Sequence, residues 1–368
     1  MRRYLFKKRV YRWIFRWVDS IGDRVFGHRG VPIPDAIERI LIVRLDHLGD
    51  LVLSMPAIEA VRKKFPRAHI ALLAHPSASQ ILPEGWVDEM ISFEAPWFSK
   101  DRRRIFSWNL ARDLAARLKR GRYQIGIELR GDARQILLLR WAGIPVRIGY
   151  GATGLGFLLT HEAEVGMGIH EVDRTFELLK ILGIERPVAL GTCRLRSSEG
   201  PSVAEELERL GIDGRHPLVC LLPGAAEERK RWPLERLAEV GKDLAGKCKA
   251  HLVIAGESAE RGLGETLAKS LGVSATNLVG RTTLGTLRAL LVRSDLAISM
   301  DSGAAHLAAA LGTPVITLFT QDHAPEQWRP WGPSAVCLWK PDGLSAIQAE
   351  EVIQEAHKIL RHKEAVCG

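Results

Sequence analysis

Apolar residues in this chain fall into short unbroken runs, separated by longer stretches where they recur every three or four positions. Short β-branched runs read as strands buried on both faces of a parallel sheet, and the intervening periodicity as helices covering those faces. Strands are predicted at Ile40–Val43, Ile70–Leu73, Met90–Phe93, Ile125–Leu129 and Val146–Ile148, with helices over 55–65, 107–119 and 132–142. A polar stretch, Leu195–Pro201, reads as a linker, after which the pattern restarts. Strands are expected at Leu218–Leu222, His251–Ile254, Asn277–Val279, Leu296–Ile298 and Val315–Leu318, and helices at 233–246, 260–270, 284–292 and 303–311. The alternation predicts an α/β protein of two Rossmann-like domains with an inter-domain cleft. The expected boundaries are a segment 1–30, a first domain 31–195, a second domain 196–343 and a C-terminal helix within 344–368, a candidate to pack back on the first domain.

A chain of 368 residues is long for one core, which agrees with two domains. Its five cysteines are scattered and form no C-x-x-C pair, which favours a reducing cytoplasm over disulfides or structural zinc. There is no long apolar run of membrane-spanning length and no secretory pattern at the start. The net charge of +9 is concentrated in residues 1–30, where nine Lys and Arg face Asp19 and Asp23. Within that segment Phe6, Val10, Ile14, Trp17, Ile21 and Val25 recur at helical steps, flanked by Trp13 and Phe15. A basic helix with an apolar stripe fits an anionic membrane interface, or a helix docked on its own protein. The stripe would have no role in nucleic-acid binding, so no nucleic-acid partner is expected.

Three strand-to-helix junctions carry candidate chemistry. Leu45-Asp46-His47-Leu48-Gly49-Asp50 follows the first strand and reads as a loop, with a helix starting near Met55-Pro56. Carboxylates at the C-terminal edge of an open α/β sheet sit where such folds bind ligands; Asp50 is the first candidate base and Asp46 the alternative. Pro223-Gly224 leads through Lys230 to Trp232-Pro233, where proline opens a helix. The third junction is Asp301-Ser302-Gly303-Ala304-Ala305-His306, a small-residue helix start stopped by Gly312 and Pro314. Uncovered amides there suit a phosphate, with His306 able to point at the same ligand; ordinary helix capping by Asp301 and Ser302 is the plainer account. Gly149-Tyr-Gly151-Ala-Thr-Gly154 matches a dinucleotide fingerprint literally but lacks the helix that the motif requires. No P-loop, D-x-D pair, serine-nucleophile elbow or histidine cluster is present, so no metal site is expected.

Together these segments resemble glycosyltransferase family 9, the ADP-heptose:lipopolysaccharide heptosyltransferases, over roughly residues 39–340. The likeness also draws in Glu128-Leu-Arg130-Gly131, His170-Glu-Val-Asp-Arg174 and Gly280-Arg-Thr-Thr-Leu284. The resemblance implies a GT-B fold and an inverting transfer without metal or cofactor. The donor would be an ADP-sugar held mainly by the second domain, and the acceptor a lipid-linked anionic glycan. By position, Asp50 resembles the general base, while Gly224, Lys230, Ser302 and Gly303 resemble groups around the donor diphosphate. Asp301 matches a sugar contact, His306 the same helix face, Glu260 a ribose carboxylate and Thr282 a residue flanking adenine. Arg130, Arg134 and Arg174 are candidate acceptor contacts. Ala225-Ala226 stand where some relatives place hydroxyls, and Thr320-Gln321-Asp322 where a Gly-Pro-Thr turn is common. Both departures leave room for another nucleotide sugar or glycan acceptor, and a non-catalytic nucleotide- or glycan-binding module is the more distant alternative. The expected location is cytoplasmic, peripheral to the inner membrane through residues 1–30.

Overall fold

A computed structural model describes residues 9–26, 30–98, 108–164, 166, 168–187, 216–272, 275–320 and 325–367. The chain divides into two compact units, Met1–Ala189 and Leu190–Gly368. The predicted linker Leu195–Pro201 and the boundary at 195 lie outside the described residues, as do Gln321 and Asp322.

The first unit opens with helix α1 (Arg9–Phe26), followed by strand β1 (Arg39–Arg44), helix α2 (Leu48–Lys64), β2 (His69–Ala74) and β3 (Glu89–Ser92). Helix α3 (Trp108–Arg120), β4 (Ile125–Glu128), α4 (Ala133–Trp141), β5 (Val146–Gly149), β6 (His161–Glu162) and α5 (Glu171–Leu179) complete it. Its sheet runs β3-β2-β1-β4-β5-β6, every neighbouring pair parallel. In register, Ile40 lies between Ile70 and Ile125, and all three are fully buried. The strand order reverses between β1 and β4, so the loops after these two strands flank the crevice where such sheets take ligands.

In the second unit β7 (Leu218–Leu222), α6 (Leu234–Lys247), β8 (His251–Ile254), α7 (Arg261–Leu271), β9 (Ala275–Asn277) and α8 (Leu284–Arg293) come first. They are followed by β10 (Leu296–Met300), α9 (Gly303–Leu311), β11 (Val315–Phe319), the single turn α10 (Pro325–Trp328), β12 (Ala335–Trp339) and α11 (Ala349–Cys367). The sheet order β12-β11-β10-β7-β8-β9 repeats the first unit's topology strand for strand, with the reversal now between β7 and β10.

One expectation is corrected. The helix after β1 begins at Leu48 and contains Pro56, so Asp50 sits in its first turn. Nearly every residue of that helix from Gly49 to Ile58 is buried, which erases the amphipathic periodicity by which helices are read. The C-terminal helix α11 belongs to the second unit and packs into that unit's core through Val352, Ala356 and Leu360. There it lies along α6, because its apolar stripe meets Val240 and Leu244 in that core.

Helix α1 does form, and one of its faces docks. Phe26 stacks on Phe157 at 5.6 Å, and Gly22 and Phe15 abut Phe157 and Gly154. The opposite stripe, Val10, Trp13, Ile14, Trp17, Ile21 and Val25, stays exposed. The Gly149–Gly154 stretch leads into a single 3-10 turn, Gly156–Leu158, and that turn carries α1.

Candidate active site

In the first unit the loops after β1 and β4 build a charged cluster around one guanidinium. Arg44 ends β1 with its side chain buried. Its Nε lies 2.8 Å from Asp46 Oδ1, and Nη2 lies 3.5 Å from Asp50 Oδ1 and 3.4 Å from Glu171 Oε1. Nη1 donates to the Leu129 carbonyl at 3.0 Å. Burial opposes this charge, but Asp46, Asp50 and Glu171 outweigh it and the pKa of Arg44 is raised. Around it, Arg130 Nη1 pairs with Asp46 Oδ2 at 3.0 Å and Arg174 Nε with Glu171 Oε2 at 3.1 Å. Arg174 also donates to the Arg130 carbonyl at 2.9 Å. The result is a closed ring of three arginines and two carboxylates, with Asp50 attached at its rim.

This ring separates the two carboxylates left open by the sequence. Asp46 is 1% exposed, with one oxygen on each of two guanidiniums. Burial pushes its carboxyl up against the pull of Arg44 and Arg130. Asp50 is 19% exposed and touches the ring through one oxygen. It is the solvent-facing carboxylate of this pair.

Glu128, at the end of β4, lies fully buried below the same loops and accepts from the Gly131 N–H at 2.5 Å and the Arg130 N–H at 3.2 Å. Burial, with Asp132 nearby, pushes its carboxyl up to about 8. Gly131 turns the chain at φ +88°, and a Cβ there would meet Ala152 at 2.7 Å. The turn hands over to Asp132, which caps α4 by accepting from the Arg134 N–H.

The three arginines expected at the acceptor differ in fate. Arg174 is buried, held by Glu171, the Arg130 carbonyl and the Tyr150 ring at 4.8 Å. It is an internal strut, which corrects its assignment as an acceptor contact. Arg130 is about one-third exposed beside Asp46. Arg134 is 43% exposed, paired with Asp132 and stacked on Trp97 at 4.9 Å.

The second unit shows the same plan at its own reversal point. Lys230, after β7, reaches Asp301, after β10, with Nζ–Oδ2 of 2.8 Å, both side chains largely buried. Trp232 anchors that loop. It is 1% exposed, its backbone N–H donates to Met300 Sδ at 3.3 Å and its ring N–H to the Ile347 carbonyl at 3.2 Å. Pro233 occupies the cap position, one residue before α6 begins.

Ser302 stands at the N-cap of α9 but makes no capping bond; its hydroxyl lies 3.1 Å from that of Ser299. Asp301 is turned toward Lys230, so capping does not account for this pair. The Gly303 end of a nine-residue helix therefore presents amide N–H groups and positive potential beside Lys230. His306 is buried in the first full turn of the same helix.

On the other side of β7, the Glu260 carboxylate lies against Gly224. A Cβ on Gly224 would fall 2.1 Å from it, so only glycine allows this approach. The Glu257 N–H donates to Glu260 at 2.9 Å. The loop bearing Thr282 is tied alongside by Gly280 N–H to the Gly256 carbonyl at 3.0 Å. Ala225 is buried with its carbonyl facing Arg231, so this loop offers backbone rather than hydroxyls. The second unit thus places Gly224, Glu260 and the Thr282 loop on one side, and Lys230, Asp301, Ser302 and His306 on the other.

Residues 111–357 match glycosyltransferase family 9 (heptosyltransferase). The chain belongs to glycosyltransferase family 9. It is a glycosyltransferase of GT-B fold. Lipopolysaccharide heptosyltransferase 3 of Escherichia coli K12 is 27% identical over 339 residues, covering 85% of this chain and 95% of that protein. Among solved structures, the glycosyl transferase family 9 protein of Veillonella parvula superposes with a TM-score of 0.79 at 24% identity, covering 90% of this chain and 99% of that one. The E. coli ADP-heptose lps heptosyltransferase II gives 0.75 at 23%, covering 89% and 99%.

Sequence reasoning missed Arg44 and Glu171, the partners that fix Asp46 and Asp50. A signal for Arg44 was present: a charged residue directly ending a run that is otherwise wholly apolar.

Proposed function

We propose that this glycosyltransferase moves a heptose from ADP-heptose to an anionic, lipid-linked acceptor of the lipopolysaccharide core, inverting the anomeric centre without a metal ion. The relatives named for lipopolysaccharide and ADP-heptose support the substrate classes. The observation that carries the chemistry is the contrast between Asp46, locked between two guanidiniums, and Asp50, tethered by one oxygen at the solvent edge.

In this reading the acceptor hydroxyl attacks the anomeric carbon as Asp50 takes its proton. The bond from that carbon to the diphosphate oxygen breaks, and ADP leaves with the electron pair. Lys230 and the amides opening α9 stabilise the negative charge that develops on the departing diphosphate. A helix terminus contributes about 0.3–1 kcal/mol, and up to about 2 when partly buried, so the lysine carries a large share. Glu260 takes the ribose hydroxyls, the Thr282 loop flanks adenine, and Gly224 lets the nucleotide lie close to the backbone. Asp301 holds Lys230 and meets the sugar beside it, and His306 supports the same helix face. Arg130 and Arg134 meet the acceptor's anionic groups.

The exposed stripe and arginines of α1 hold the enzyme on an anionic membrane surface at the cytoplasmic face. Among the described residues no helix is long and apolar enough to cross a membrane. Asp50→Ala tests the core of the reading: transfer should vanish while calorimetry still detects ADP binding. Turnover like that of the unsubstituted enzyme would refute the assignment. Titration with ADP-heptose against UDP- and GDP-sugars tests the donor, and preference for either of the latter overturns it.

A further inference from the structure

Beside the charged cluster, the first unit carries an apolar cavity of about 220 Å³ that the reaction described above does not use. It lies between the N-terminal half of α3 and the length of α4, lined by Trp97, Trp108, Ala111, Leu137 and Trp141 among others. Trp108 and Trp141 meet at 5.7 Å and are 60% and 38% exposed, so the apolar lining opens to solvent. Among the described residues the one charged side chain in the lining is that of Arg134, in the first turn of α4 and four residues after Arg130, which holds Asp46. Exposed tryptophans at an apolar mouth suit a ligand that is greasy at one end and wet at the other.

We infer that this pocket receives the end of an acyl chain belonging to the lipid-linked acceptor, with the acceptor's anionic head toward Arg134. The inference rests on the lipid-linked acceptor proposed above and names where the lipid part goes. A sugar fits the lining poorly: its hydroxyls would lose water and meet carbon. An alkyl chain has no such loss and removes exposed aromatic surface from water. The fold supplies a second reason. Helix α4 packs against the turn Gly156–Leu158, and the same turn carries α1, whose outer stripe is apolar and basic. The pocket and the proposed membrane-binding helix are therefore mounted on one element of the first unit, and a chain drawn from a bilayer beside α1 needs no separate carrier.

The test uses the full-length protein and dodecyl phosphate below its micelle concentration, titrated by calorimetry against three variants. Leu137→Glu and Trp141→Glu place charge in the half-exposed lining; Trp17→Ser alters α1 alone. The expected result is saturable binding that weakens at least tenfold in both pocket variants, whose melting temperatures stay within a few degrees, and persists in Trp17→Ser. Equal binding by the pocket variants, or loss in Trp17→Ser alone, would overturn the pocket. So would binding of a soluble disaccharide in place of the alkyl phosphate, or loss of the cavity to self-association on sedimentation. In transfer assays the pocket variants should raise KM for an acylated acceptor at least tenfold and leave KM for its deacylated glycan unchanged; an equal rise for both refutes the inference. Failure to transfer to either acceptor would count against the proposed function, whereas the calorimetric arms judge the pocket by themselves.

Discussion

Arg44 is the residue whose removal the structure makes most informative. Its guanidinium serves Asp46 at 2.8 Å, Glu171 at 3.4 Å, Asp50 at 3.5 Å and the Leu129 carbonyl at 3.0 Å. Arg44→Met keeps an unbranched side chain of similar reach and deletes the charge. Asp46 would retain Arg130 and Glu171 would retain Arg174, but each loses a partner while remaining 1% exposed. Breaking a buried pair from one side costs about 3–5 kcal/mol, a large part of the roughly 5–15 kcal/mol that holds a domain together. For a unit of this size about 1 kcal/mol shifts the midpoint by roughly 2–4 °C, so the first unit's transition should fall on the order of 10 °C. Arg44→Lys separates charge from geometry. A compact ammonium keeps the sign but cannot reach four acceptors that the planar fork serves together. Its stability loss should be the smaller, yet kcat should drop by about 100-fold, because a base misplaced by about 1 Å costs that much. Donor affinity, which the proposed function assigns to the second unit, should not change. Differential scanning calorimetry, single-turnover transfer and ADP titration on the two variants read all three quantities. An Arg44→Met protein melting with the unsubstituted enzyme and turning over normally would refute the idea that this guanidinium fixes Asp50.

Glu128 gives a pH signature. Its folded-state pKa is raised to about 8 from an ordinary 4.5, so the folded protein holds a proton that the unfolded chain releases, and stability is lost as pH climbs from about 4.5 to about 8. Glu128→Gln should flatten that decline, so its melting temperature gains on the unsubstituted protein from pH 5 to pH 8; a constant offset between the two curves would argue that the carboxyl is ionised throughout. Lys230→Met removes the cation that faces Asp301 and that the proposed function sets against the donor diphosphate. A charged hydrogen bond is worth about 1.5–3 kcal/mol, so ADP should bind roughly 10- to 100-fold more weakly by calorimetry, and an unchanged Kd would remove Lys230 from the donor site. Deleting residues 1–30 takes away nine basic side chains, each worth about 1 kcal/mol near an anionic surface. Co-sedimentation with phosphatidylglycerol vesicles should disappear while zwitterionic vesicles bind neither form, and undiminished pelleting would place the membrane contact elsewhere.

The sheets were legible because a strand buried on both faces writes itself as a continuous apolar run; Leu218–Leu222 and His251–Ile254 form as read. Two of the edge strands lack that signature. Strand β6 is two residues long and only partly buried, and Ala335–Trp339 is half-exposed along its length, so neither stood out. The start of α2 was hidden for the opposite reason: buried on all sides, it shows no polar face, and Pro56 suggested a beginning where the helix is already under way. The chemistry divides in the same manner. Asp301 follows β10 and Lys230 lies in the loop after β7, two neighbouring strands whose C-terminal loops converge, and the structure brings the two side chains into contact. What separates Asp46 from Asp50 is not local. The groups that bury Asp46 and leave Asp50 at the rim come from 84 residues away, in Arg130, and from Glu171, 127 residues beyond Arg44. Two carboxylates four residues apart therefore look equivalent along the chain. They acquire different chemistry only when β4 and α5 close over β1, enclosing one acid between cations and leaving the other facing solvent.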